Sequence, residues 1–285
     1  RYPRTQGRQL LLKQALQNVA IGSVDQVMAL IPRRVPDAAA LRKCKIVSHR
    51  GEHDNRMVKE NTLLAFDNAR TAGVCGLECD IRWTQDQVPV ICHDASLERV
   101  FDLPLDLAAL DFAELRKRAP AVPSLAEVVQ RYGGDMHLML EIKSLSSANL
   151  AAQRASLQAI LGGLQPATDF HILALDPALF ELVAFLPSRA LLPVAELNVA
   201  ALSKISLQHD YAGLAGHYLL LNERIHRRHR EAGQWIGTGF PRTRNAMLRE
   251  IARGVEWIFS NDAVHLQREL DALRRSAVSN SPPVK

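Results

Sequence analysis

The chain has no apolar run near the roughly 18–20 residues that a bilayer crossing requires, which excludes a membrane-spanning helix. Its longest clean apolar candidates, around residues 9–12 and 218–221, stop far short. Cysteine is scarce as well. The four (Cys44, Cys75, Cys79 and Cys92) include no CxxC pair, so they read as reduced thiols of a cytoplasmic protein rather than a disulfide framework. Aromatic residues make up 5% of the chain, too few for a base-stacking platform. The net charge of +5 is a mild excess that draws in anions without implying nucleic acid as a partner. The chain opens on Arg1 rather than Met, which leaves any upstream targeting segment unread.

What is present is ordinary for a folded enzyme-sized domain: 285 residues, 47% hydrophobic and 23% charged. That suffices for a core without metal or disulfide staples. Residues 1–44 read as an N-terminal helical extension. Leu12, Leu16 and Val19 fall at helical spacing, Ser23 and Gln26 form a capping box for a second short helix, and Pro32 and Pro36 stop it. From Lys45 onward, apolar strand candidates at 45–50, 76–82, 136–142, 169–174, 190–194, 218–221, 234–238 and 256–259 alternate with amphipathic stretches. Gly73, Gly233 and Gly254 close three of those helices. Eight such β/α units predict an α/β protein, a TIM (β/α)8 barrel over residues 45–275. No glycine-rich phosphate loop follows the first strand, which sets aside the open doubly wound sheet.

Residues 88–93 are strand-like too, but only about three residues separate them from the strand ending near Thr84. A parallel crossover needs about a dozen. They must fold back as a hairpin arm, opening a short insertion of about residues 85–135 after the second strand. Residues 276–285 are polar and proline-rich, and are expected to form a disordered tail.

Chemistry collects at strand ends. Ser48-His49-Arg50-Gly51 closes the first strand, and Glu78-Cys79-Asp80 lies in the second. Side chains alternate along a strand, so Glu78 and Asp80 share a face. Two carboxylates side by side call for a positive partner, and an all-oxygen donor set suits one hard divalent cation, Mg²⁺ or Ca²⁺. With a turn centred near Gln85–Asp86, His93 of the His93-Asp94 pair falls opposite Glu78. Glu141 and Lys143 emerge together from an apolar strand, offering a third ligand and a counter-charge for phosphate. Each cluster alone is weak; their meeting at the C-terminal ends of early barrel strands is not. Together they suit metal-assisted phosphoryl chemistry.

The runs HRG (49–51), ENT with LLAF (60–66), GLECDIRWTQDQVPVICHD (76–94), VPSLAEVV (122–129) and LEIKS (140–144) resemble the glycerophosphodiester phosphodiesterase family. The strong resemblance covers residues 45–145. It implies a TIM barrel with one divalent cation on Glu78, Asp80 and Glu141, His49 and His93 as general acid and base, and Arg50, Glu60 and Lys143 contacting the phosphate or fixing the site. The implied activity is metal-dependent hydrolysis of glycerophosphodiesters to glycerol 3-phosphate and an alcohol. Downstream the chain departs from the family, reading Trp235-Ile236-Gly237-Thr238 and Ala174-Leu175 where Trp-Thr-Val-Asn and Ser-Phe are usual. That leaves the alcohol-side contacts open, with Trp83 and Trp235 as either pocket lining or core. Two other readings compete: a phospholipase-like enzyme on lysolipids or sphingolipids with peripheral membrane contact, and a non-catalytic barrel. The expected partner is a small-molecule phosphodiester; the oligomeric state is not read. His137 and His171 are taken as structural, and the run 226–230 (HRRHR) as a solvated helix face.

Overall fold

The computed structural model describes residues 27–279. Helix α1 (Ala38–Lys43) is capped by the Asp37 carboxylate and leads into β1 (Lys45–His49). Then come α2 (Leu63–Thr71), β2 (Gly76–Trp83), β3 (Pro89–Ile91), α3 (Glu98–Phe101), α4 (Phe112–Arg118), α5 (Leu125–Tyr132) and β4 (His137–Ile142). The second half holds α6 (Leu150–Leu161), β5 (Phe170–Ala174), β6 (Leu191–Ala195), α7 (Val199–Gln208), β7 (Gly213–His217), α8 (Glu223–Glu231), β8 (Trp235–Gly239), α9 (Arg244–Ala252), β9 (Trp257–Ser260) and α10 (Ala263–Ser279). All strands but β3 run parallel to their neighbours, and β1 pairs with both β2 and β9, which closes the eight-stranded barrel. This is the TIM barrel expected from the β/α rhythm.

Alternation sorts the side chains into two cores. Val47, Met139, Leu173, Leu192, Ala215, Trp257 and Phe259 point into the barrel, whereas Ile46, Leu77, Leu138, Leu140, Ile172 and Ile258 pack outward under the helices. The β2–β3 hairpin has a small core of its own around Val90, Leu97, Leu107, Leu115 and Val122. That core ends the insertion before α5, whose Leu125, Val128 and Tyr132 belong to the barrel's outer core. The expected upper bound of about 135 therefore took in a barrel helix.

Some expectations need correction. The strand placed at 218–221 is instead β7, Gly213–His217. Its small residues hide it: a Cβ on Gly213 would lie 1.8 Å from the Trp235 carbonyl oxygen, so β8 presses too close for anything larger. The apolar run after it is a turn that buries Tyr218 and Leu221. The hairpin register is one residue off the expected one. Ile81 faces Ile91 and the Cys92 N–H donates to the Asp80 carbonyl, so His93 does not stand opposite Glu78. Of the run 226–230 on α8, His226 and His229 are buried, next to Ile225, and Arg227, Arg228 and Arg230 face solvent. The helical spacing of the histidines puts them on the apolar stripe. Helix α10 runs to Ser279, past the expected start of the tail; residues 280–285 and most of the N-terminal extension lie outside the described residues.

Candidate active site

The candidate catalytic, metal and phosphate residues gather around β1 to β4: His49 and Glu141 lie at or next to strand ends, Arg50, His93 and Lys143 just beyond them, Glu78 and Asp80 within β2, and Glu60 in a loop. His49 ends β1, and Arg50 and Gly51 follow with φ of 60° and 81°. Gly51 is required by space as well as by angle, since a Cβ there would lie 2.7 Å from Ala65 Cβ. The loop then delivers Glu60, Asn61 and Thr62, three neighbours with three tasks. Glu60 accepts from Arg50 Nη1 at 3.0 Å and Asn55 Nδ2 at 2.6 Å. Asn61 Nδ2 donates to Asp80 Oδ2 at 2.8 Å. The Thr62 hydroxyl caps α2 by accepting from the Ala65 N–H.

The three carboxylates meet. Glu78, Asp80 and Glu141 are all buried, and each offers an oxygen within 4.8 Å of the others. The register explains it: Asp80 pairs directly with Glu141 across β2 and β4, while Glu78 pairs with His49 across β2 and β1. Lys143 Nζ lies 2.6 Å from Glu141 Oε1 and 3.0 Å from Asp80 Oδ1, and Arg50 Nε lies 3.2 Å from Asp80 Oδ2. Burial and the charges of Asp80 and Glu141 push the Glu78 carboxyl well above its ordinary range. Burial also raises Glu141, with Lys143 offsetting part of the effect. At Asp80 burial works in the same sense, but Lys143 and Arg50 outweigh it and hold the group low. Glu78 Oε1 is buried with no hydrogen-bond partner among the described residues. An unsatisfied carboxylate oxygen facing two more acids is the donor set a hard divalent cation takes, so the residues present fit such an ion.

The two histidines flank this cluster. His49 Nε2 lies 3.6 Å from Glu78 Oε2, its Nδ1 lies 2.6 Å from Asn261 Oδ1, and its ring leans on Phe240 at 4.7 Å. Burial and the Arg50 charge push it down to about 3, so its imidazole is neutral. His93 Nδ1 lies 2.6 Å from Asp94 Oδ1. It also titrates below the ordinary value, mainly through burial, with the Asp80 charge opposing. A cleft of about 310 Å³ opens beside His49 and Arg50, lined also by His53, Asn55, Arg242 and Asn261.

The sequence reading missed Asn61, Asp94, Arg99, Phe240 and Asn261 as site residues. Asn61 and Asp94 were visible inside the ENT and HD runs, whereas Phe240 and Asn261 lie beyond the resembling half. Glu60 stands behind Arg50 with both oxygens engaged, holding that cation in place. Trp83 is core, its Nε1 donating to the Ser144 carbonyl at 3.2 Å. Trp235 stacks on Trp257 at 5.4 Å where β8 and β9 begin, at the opposite end of the barrel from the carboxylates. It is not part of an alcohol pocket. His137 and His171 hydrogen-bond each other at that same end.

Residues 49–169 match the sequence profile of the glycerophosphoryl diester phosphodiesterase family. Over that stretch the chain is similar to members of the family. Human glycerophosphodiester phosphodiesterase 1 is 38% identical over 94 residues, 30% of this chain and 28% of that protein. A glycerophosphodiester phosphodiesterase of Caldanaerobacter subterraneus subsp. tengcongensis is 33% identical over 115 residues, 36% of this chain and 46% of that protein. The matches thus span less than half of either relative's length. Among solved structures, an Oleispira antarctica phosphodiesterase in complex with the product sn-glycerol-3-phosphate shares the fold at 23% identity, with a TM-score of 0.66 over 83% of this chain and all of that one. The profile match agrees with the resemblance carried by residues 45–145. No helix among the described residues is long and apolar enough to cross a membrane.

Proposed function

We propose that this protein is a metal-dependent glycerophosphodiester phosphodiesterase, cleaving a small-molecule diester to glycerol 3-phosphate and an alcohol. The observation that carries the reading is the buried triad Glu78, Asp80 and Glu141 with an imidazole on either side. Glu78, Asp80 and Glu141 would hold one divalent cation, Mg²⁺ or Ca²⁺. When bound, it supplies Lewis-acid stabilisation of the charge on the phosphoryl oxygens.

The rest falls to the chain itself. A phosphodiester is an anion and repels nucleophiles, so the site must offset its charge. Arg50 and Lys143, both held by carboxylates, present fixed positive charge that needs no rearrangement as the phosphorus–oxygen bond breaks. One of His49 and His93 takes the proton of the attacking oxygen, and the other gives a proton to the departing alkoxide. Such acid–base help contributes about 10²–10⁴ in rate. Both imidazoles are tethered through Nδ1, leaving Nε2 of each for that exchange. The polar cleft beside His49 suits a hydroxylated substrate better than an acyl chain. Four unpaired cysteines suit a reducing, cytoplasmic setting.

The test is product analysis with glycerophosphodiesters and lysolipids, with and without chelator. Release of glycerol 3-phosphate that stops with chelator and returns with Mg²⁺ or Ca²⁺ is the expected result. Turnover of lysolipids alone would move the substrate to the membrane surface, and no turnover of any diester would make the barrel a binding module.

A further inference from the structure

Arg99 lies on α3, inside the insertion, and its guanidinium is fully engaged. Nε lies 2.5 Å from Asp94 Oδ2, Nη2 lies 2.7 Å from Glu60 Oε1, and Nη1 lies 3.1 Å from Glu60 Oε2. Its two partners each hold a residue of the reactive centre. Asp94 Oδ1 takes His93 Nδ1, and Glu60 Oε1 takes Arg50 Nη1. A continuous line therefore runs His93–Asp94–Arg99–Glu60–Arg50 and ends on Asp80. Glu60 is 97% buried, with only 3% of its surface exposed, yet its carboxyl stays well below the ordinary range: burial pushes it up, and Arg99, Arg50 and Asn55 more than reverse that.

Arg50 gives Glu60 a single hydrogen bond, from Nη1 to Oε1, while its Nε faces Asp80 at 3.2 Å. The second oxygen of Asp94 is held by Arg99. The planar fork matters here. Its N–H groups point in fixed directions, gripping both oxygens of Glu60 while Nε reaches Asp94, a planar two-pronged geometry that a lysine ammonium does not reproduce.

We propose that Arg99 is a positioning residue that sets the His93 imidazole and the Arg50 guanidinium relative to each other, making the insertion part of the catalytic apparatus. Arg99 itself touches neither the three carboxylates nor the reacting atoms. The inference rests on the phosphodiesterase reading of His93 and Arg50. Losing the link loosens the proton-transfer group and the anion contact together, so both turnover and substrate affinity respond.

The experiment uses the metal-loaded full chain and the variants Arg99→Ala, Arg99→Lys, Asp94→Asn and Arg99→Ala/Asp94→Asn. Each is followed by kcat, KM and thermal melting, and by proton NMR of histidine-¹⁵N-labelled protein, with His93→Gln identifying the His93 Nδ1–H signal. Arg99→Ala should lower kcat about 10–100-fold and raise KM several-fold, as losing an outer partner of a site residue usually does. Arg99→Lys should restore the melting temperature but not kcat. The double variant should be no slower than the worse single one, because both break the same line. The His93 Nδ1–H resonance should move upfield in Asp94→Asn, whose amide oxygen is a weaker acceptor, and shift or broaden in Arg99→Ala. Wild-type kcat in Arg99→Lys, additive losses in the double variant, or an unmoved resonance in Arg99→Ala would each overturn the proposal. If the wild type cleaves no diester, the functional reading fails on its own, and the resonance alone then decides whether Arg99 positions His93.

Discussion

His49 Nδ1 and Asn261 Oδ1 lie 2.6 Å apart although 212 residues separate them in the chain. An amide oxygen only accepts, so Nδ1 carries the proton and Nε2 keeps its lone pair on the side of Glu78. Asn261 thereby selects the tautomer as well as the orientation of the ring. Asn261→Ala is expected to lower kcat by about 10–100-fold with little change in KM, since the substrate's contacts survive while the imidazole rotates. Steady-state kinetics on a glycerophosphodiester would check it, and an unchanged kcat would show that Phe240 packing alone orients His49.

The histidines themselves should matter more. His49→Ala and His93→Ala are each expected to cut kcat by about 10²-fold or more while leaving the melting temperature within a few degrees. Near-normal turnover by either variant would remove it from the acid–base pair.

Glu141 joins β4 to the two carboxylates of β2. Glu141→Gln keeps the side chain's size and removes one negative charge, so half-maximal activation should need about tenfold more metal or beyond. Calorimetric titration of chelator-treated protein with Mg²⁺ or Ca²⁺ gives a second readout. Superimposable titrations for wild type and variant would leave Glu141 as a partner of Lys143 and nothing more.

How much of this was legible in the sequence depended on where the signal lay. The β/α rhythm and the carboxylate alternation in Glu78-Cys79-Asp80 needed only local pattern, and both held in the fold. β7 escaped because close strand packing selects glycine and alanine there, erasing the apolar run on which strand recognition relies. The His93 register slipped by one because turn geometry, not the apolar pattern, fixes a hairpin's register. Asn261 and Arg99 act through contacts across the barrel mouth, and no spacing rule connects residues so far apart in the chain.

Gly213 offers a stability test of that packing. Gly213→Ala would drive a methyl group against the Trp235 backbone, and overpacking of this kind costs about 1–3 kcal/mol or more. A lowered denaturant midpoint with an unchanged slope is expected. A variant as stable as wild type would mean that β7 and β8 separate without cost.

Acid should destabilise the fold through buried imidazoles far from the site. Burial, followed by Arg253 and Arg230, pushes His226 down to about 3. The unfolded chain binds this proton near the ordinary value of 6.5, and the folded chain does not until about pH 3. The stabilising contribution is therefore full above pH 6.5 and declines as pH falls toward 3, by up to about 1.4 kcal/mol per unit for this group. Urea unfolding at pH 7.5 and pH 5 should show the loss, and His226→Gln should make the slope shallower. Equal slopes would assign the acid sensitivity to other groups.

The barrel closes by laying β9 against β1. The first histidine of the site is thus completed by one of the last barrel residues: His49 emerges among the first barrel residues, yet its partner Asn261 follows the last stave. A nascent chain carrying every acid, imidazole and arginine of the first half still has His49 without its Asn261 partner until the ring shuts. The proposed hydrolysis is in that sense a property of closure, open only to chains that have completed their fold.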